Sequence, residues 1–129
     1  MKIILPLHSK DLHILPHTLF SLKSHLYTNW GGGQWHKIDS KDIVIIANID
    51  MKKSILKIDN TIEFIDEDLL LDGLNIAYLR QFFGDDAGWF FQQFLKMAYS
   101  FICTREFYLS FDCDCLLIRD LKININKPF

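Results

Sequence analysis

The sequence predicts an α/β fold with a largely parallel sheet, and three observations carry that prediction. Short apolar runs at 3–5, 43–47, 62–65 and 107–111 have the length of buried strands, and that at 43–47 is rich in β-branched residues. Segments with helical spacing lie between them, the clearest at 88–102. No internal repeat or low-complexity stretch breaks the alternation. Strands and helices that alternate in this way give a parallel sheet covered by helices. The 129 residues, half of them hydrophobic and 14% aromatic, amount to one domain with enough apolar mass for a core.

Ile3, Ile4 and Leu5 form a first strand that stops at Pro6 and opens into the polar loop His8-Ser9-Lys10-Asp11. Pro16 suits the first turn of a helix, where its missing N–H costs little. Leu15, Leu19, Leu22 and Leu26 then recur at helical spacing and mark the buried stripe. Residues 27–40, with Gly31, Gly32 and Gly33 between Trp30 and Trp35, read as a loop. A phosphate-binding glycine loop needs a helix directly after it with Lys and Ser/Thr in place, and neither is present. Residues 43–47 read as a strand buried on both faces, 50–61 as a turn or short helix, and 62–65 as a third strand. That strand ends in the acidic cluster Asp66, Glu67 and Asp68. Residues 69–86 form a connection carrying Arg80 and the turn Gly84-Asp85-Asp86. The acid pair Asp85-Asp86 then favours the N-terminal end of the helix at 88–102. Residues 107–111 read as a strand leading into Asp112-Cys113-Asp114, with a second apolar strand at 115–118.

Fourteen basic and sixteen acidic residues leave a net charge of −2, which gives no electrostatic reason to expect nucleic acid as a partner. No apolar run reaches the roughly 20 residues that span a bilayer. The first eleven residues lack the apolar stretch and cleavage site of a secretory signal. Three cysteines, two of them only two positions apart, argue against a disulfide framework and for a reducing, cytoplasmic setting. The histidines His8, His13, His17, His25 and His36 match no metal-ligand spacing, and the serines sit in no nucleophile-elbow pattern.

Two neighbouring features could carry chemistry. Asp112 and Asp114 stand at the carboxyl end of an apolar strand, where open α/β sheets bind their ligands. In extended backbone, residues two apart project to one side, so both carboxylates can face one point. Two hard oxygen ligands suit Mg²⁺ or Mn²⁺. An Asp-x-Asp triplet is common in solvated turns, but apolar residues on both sides make burial of two carboxylates costly without a compensating cation. Cys113, between two acids, should hold its proton above the usual thiol range rather than act as a nucleophile. The second feature is the helix at 88–102, whose apolar residues cover most of its circumference and predict burial. Its narrow polar stripe holds Gln92, Gln93, Lys96 and Ser100, which then meet either solvent or a ligand.

The segments Gly88-Trp89-Phe90-Phe91-Gln92-Gln93-Phe94-Leu95-Lys96, Phe107 through Asp114, and Leu117-Ile118-Arg119 together resemble a family of predicted bacterial GT-A-type glycosyltransferases. Members of that family read Gly-Trp-x-x-Gln-Gln-x-x-Lys, a strand, Asp-x-Asp, and an apolar-Arg segment. The opening Ile3 through Asp11 and the stretch Phe64 through Asp68 are similar to it as well. The resemblance implies a GT-A-like, Rossmann-like sheet binding a nucleotide-diphosphate sugar with Mn²⁺ or Mg²⁺. It implies transfer of the sugar to a glycan or other acceptor, by a cytoplasmic protein at most peripheral to a membrane. By analogy Asp114 ligates the metal, and Asp112 contacts the donor ribose or the metal through water. Lys96 with Gln92 or Gln93 approaches the diphosphate or sugar, and His8 and Ser9 lie near the nucleobase. Cys113, Cys115 and Asp120 depart from the family pattern. The resemblance further implies that residues 1–129 are the donor-binding half of a domain incomplete at its carboxyl end, since a full GT-A domain is about twice as long. Two other readings stay open: a non-catalytic remnant that binds nucleotide, and a metal-dependent nucleotidyltransferase. The latter would carry a glycine-rich loop after its first strand, where residues 7–11 have no glycine.

Overall fold

The computed structural model describes residues 1–29 and 33–125. Four strands make the central sheet: β1 (Lys2–Pro6), β4 (Ile43–Ala47), β5 (Glu63–Asp66) and β6 (Tyr108–Ser110), in the order β5-β4-β1-β6. Every pairing is parallel, with Ile4 opposite Val44 on one side and opposite Ser110 on the other. Pro6 closes β1, where its missing N–H leaves no ladder bond broken, and Leu7 N–H bonds to Ile46 O at 2.9 Å.

All five residues of β4 are buried, as a strand covered on both faces requires. Strand alternation sends Ile3, Leu5, Ile43 and Ile45 to one face and Ile4, Val44 and Ile46 to the other. The first face is covered by α1 (Leu15–His25) and α2 (Lys52–Ile58), through Leu15, Leu19, Leu22 and Ile55. The second is covered by α4 (Ile76–Phe83) and α5 (Ala87–Ala98), through Leu79, Phe91 and Leu95. The result is the α/β, Rossmann-like three-layer arrangement expected from the sequence. No helix among the described residues is long and apolar enough to cross a membrane.

Four expectations need correction. Residues 27–40 hold two strands rather than only a loop: β2 (Leu26–Thr28) pairs antiparallel with β3 (His36–Lys37). Trp30, Gly31 and Gly32 of that segment lie outside the described residues. The connection 69–86 contains α4, with a one-turn helix α3 (Glu67–Leu70) before it. Asn75 caps α4 by accepting from Tyr78 N–H at 2.9 Å, and Gly84 ends it with φ +54°, a conformation that glycine adopts without strain. Residues 115–118 form no strand; the ladder resumes as β7 (Leu121–Ile123), parallel to β2 in the small second sheet. Finally, α5 is buried along one stripe only. Ala87, Phe91, Leu95 and Ala98 face the sheet, while Trp89 and Met97 are exposed. A single sheet face offers cover to one side of a helix, whatever the composition of the other.

Candidate functional site at the carboxyl edge of the sheet

From β1 the chain moves outward to β4 and β5, then returns to place β6 on the opposite side of β1. Strand order therefore reverses between β1 and β6, and open α/β sheets form their ligand crevice at such a reversal, beyond the carboxyl ends of the strands. Phe111 N–H bonds to Ile4 O at 3.0 Å, so Asp112 leaves β6 level with the end of β1, where His8 and Ser9 begin.

Asp112 opens a tight turn closed by Cys115 N–H on Asp112 O at 3.0 Å. The turn, not strand alternation, brings the acids together: ligand atoms of Asp112, Asp114 and Cys115 lie within 4.8 Å of one another, and all three residues are exposed. The expected burial of the two carboxylates is thus corrected; Cys113 between them takes the buried position instead. Buried side chains of α1 hold this turn. Thr18 Oγ1 donates to Cys113 O, and Ser21 Oγ accepts from Leu117 N–H at 3.2 Å while donating to Thr18 O at 2.9 Å. Burial, ahead of the nearby Asp11 and Asp114 charges, pushes the Cys113 thiol up to about 11. The Cys115 thiol is also raised, by burial and then by Asp114 and Asp112. A protonated, soft thiol is a poor ligand for a hard cation. The two carboxylates, open to solvent on their outer side, fit Mg²⁺ or Mn²⁺ that keeps further positions for water or phosphate.

Lys96 Nζ lies 2.6 Å from Asp112 Oδ1, with the lysine side chain 19% exposed. Tyr108 Oη donates to Lys96 O at 2.8 Å and pins this end of α5 to β6. One turn earlier on the same helix face stands Gln92, which borders a cavity of about 320 Å³. Apolar side chains of Leu7, Met51, Ile76, Phe91 and Leu95 line this cavity. Its polar lining comes from His8 and Ser9 after β1, Asn48 and Asp50 after β4, Glu67 after β5, Arg80 of α4, and Gln92.

The structure therefore gathers the sequence-derived residues into two adjoining groups. His8, Ser9 and Gln92 line the cavity, while Lys96, Asp112 and Asp114 form the acidic turn with its cation. Gln93 is half-buried on α5 and does not border the cavity. Sequence reasoning noted Glu67 and Arg80 without giving either a role at the site, and did not single out Asn48 or Asp50. The available signal was positional, since Asn48 and Glu67 each follow an apolar run that ends at the sheet's carboxyl edge. Burial pushes the Glu67 carboxyl up to about 7, Asp68 and Asp66 add to the shift, and a hydrogen bond with the Asn48 side chain opposes it.

Fold and site together define a Rossmann-like α/β protein with polar groups converging where its strand order reverses. The chain belongs to DUF6492, a family of unknown function, whose family model matches residues 34–125. The match spans the elements from β3 to β7, including Gln92, Gln93, Lys96, Asp112 and Asp114, but not His8 or Ser9. No curated protein and no solved structure matches the chain.

Proposed function

We propose that the chain binds a nucleotide-diphosphate sugar with Mn²⁺ or Mg²⁺ and forms the donor-binding part of a metal-dependent glycosyltransferase. The observation that carries this reading is the Asp112–Asp114 turn with Lys96 at 2.6 Å, beside the end of β1. A diphosphate needs positive charge on more than one side. Lys96 supplies one such charge from α5, and Asp112 with Asp114 would hold a divalent cation opposite it. When bound, the cation offsets the charge on the departing nucleoside diphosphate. Gln92 would reach the diphosphate or sugar from the same helix face, and His8 and Ser9 the nucleobase. A glycan or other acceptor would approach from solvent at the open side of the turn. The three free cysteines accord with action in the cytoplasm.

The test is thermal unfolding with Mn²⁺ and a panel of nucleoside diphosphates, for the wild type, Asp112→Asn and Asp114→Asn. A ligand at about a hundred times its Kd stabilises the native state by about 2.7 kcal/mol. The expected result is a metal-dependent rise in Tm with at least one nucleotide, absent in both variants. A folded wild type that shows no shift, or a shift that survives both substitutions, would overturn the proposal.

A further inference from the structure

We propose that Glu67 reads the base of the bound nucleotide, selecting bases with a ring N–H donor (uracil or guanine) over those with a ring nitrogen acceptor (cytosine or adenine), and that its protonation switches this preference. The inference rests on the nucleotide-site reading above, which does not itself assign Glu67, Asn48 or the choice of base.

The cavity, of about 320 Å³, combines apolar and polar lining. Phe91, Ile76 and Leu95 give apolar walls, and Glu67 and Asn48 stand at the polar side. Asn48 is held in one orientation because its Oδ1 accepts from Asp50 N–H at 3.0 Å. That leaves its amide N–H₂ to donate to Glu67, and the two side chains are hydrogen-bonded. The contact occupies one lone pair of the carboxyl and leaves others available to a ligand in the cavity.

An ionised carboxylate only accepts hydrogen bonds. It therefore accepts from the ring N–H of uracil or guanine, whereas from cytosine or adenine it can accept only at the exocyclic amino group, with the adjacent ring-nitrogen lone pair repelling it. A protonated carboxyl also donates, and pairs with that lone pair. Glu67 titrates at about 7, so both forms are reached between pH 6 and pH 8. Charged groups near it are Asp66 and Asp68 on its own segment, Asp50 from the β4 loop and Arg80 from α4. His8 borders the same cavity from the β1 loop, and α5 contributes the uncharged Gln92.

The experiment is calorimetric titration of the full chain with UDP, GDP, CDP and ADP, each with Mg²⁺, at pH 6 and pH 8. Wild type is measured beside Glu67→Gln, which also divides out titration of the phosphates themselves. At pH 8 the wild type is expected to bind UDP or GDP tighter than CDP and ADP. Because the ionised fraction falls about tenfold between the two pH values while the protonated fraction rises about tenfold, that preference should fall by up to about a hundredfold at pH 6. Glu67→Gln should abolish the pH dependence of the preference. A preference independent of pH, or unchanged in Glu67→Gln, overturns this inference while leaving the nucleotide site standing. No binding of any nucleotide at either pH overturns both. Should Glu67→Gln fail to fold, the wild-type preference at the two pH values decides alone.

Discussion

Cys113 and Glu67 show how position overrides neighbours at the scale of one residue. From sequence, the thiol between two aspartates was expected to hold its proton, and it does. The larger cause, however, is burial under α1 rather than the flanking acids. Glu67 sits in an acidic run and would pass for a solvated residue, yet its place beside the cavity lifts its carboxyl to about 7 from an ordinary 4.5. A carboxyl raised on folding favours the native state fully below its unfolded value, and that contribution is lost as pH rises through the folded value. Glu67→Gln removes the titration, so its stability relative to wild type should improve from pH 4.5 to pH 8. The full shift would be worth about 3 kcal/mol, and partial solvent access reduces it to on the order of 1–2 kcal/mol. Urea unfolding of both proteins at the two pH values checks this, and equal differences at both would refute it. The sequence names such a residue but not its solvent exposure, which depends on strands forty positions apart in the chain.

At the scale of elements, the acidic turn is held by a helix ninety-five residues earlier. Thr18 and Ser21 are buried and spend their hydroxyls on the backbone of residues 113 and 117. Thr18→Val keeps the shape but leaves Cys113 O without its donor, a loss of about 1–3 kcal/mol. The expected outcome is that loss in the urea midpoint, together with a smaller Mn²⁺-dependent rise in Tm. An unchanged midpoint would mean the hydroxyl is not what fixes the turn. None of this was legible from the stripe Leu15, Leu19, Leu22 and Leu26, which correctly located α1 but reported only its apolar face. The same limit applies to α5. Periodicity found the helix and its polar residues, while its outer apolar residues gave a false impression of burial on all sides. By contrast α4 is only eight residues long and was missed, because its period is too short to stand out from the surrounding loop.

For the molecule as a whole, composition fixed the layer count better than it fixed the occupants of each layer. Ile4 is fully buried between the sheet and α5, and Phe101 is 84% exposed, although both are large and apolar. Ile4→Ala should cost about 2–5 kcal/mol, whereas Phe101→Ser should stay within about 0.5 kcal/mol. Thermal unfolding of the two variants gives the comparison, and a Phe101→Ser loss matching that of Ile4→Ala would show that Phe101 has a partner in solution. The four strands and their largely parallel pairing followed from short apolar runs alternating with helical segments. Their order, β5-β4-β1-β6, did not follow, because it depends on which connection crosses back over β1.

That order also sets a schedule for synthesis. β1 leaves the ribosome ahead of both its partners, residues 43–46 and 108–110, yet it lies in the interior of the finished sheet. One of its edges therefore waits through about a hundred further residues, several seconds at ordinary elongation rates, before β6 exists to pair with it. Until then a short, mostly apolar strand is exposed along that edge, and the newborn chain is most open to wrong pairing just before the acidic turn is made.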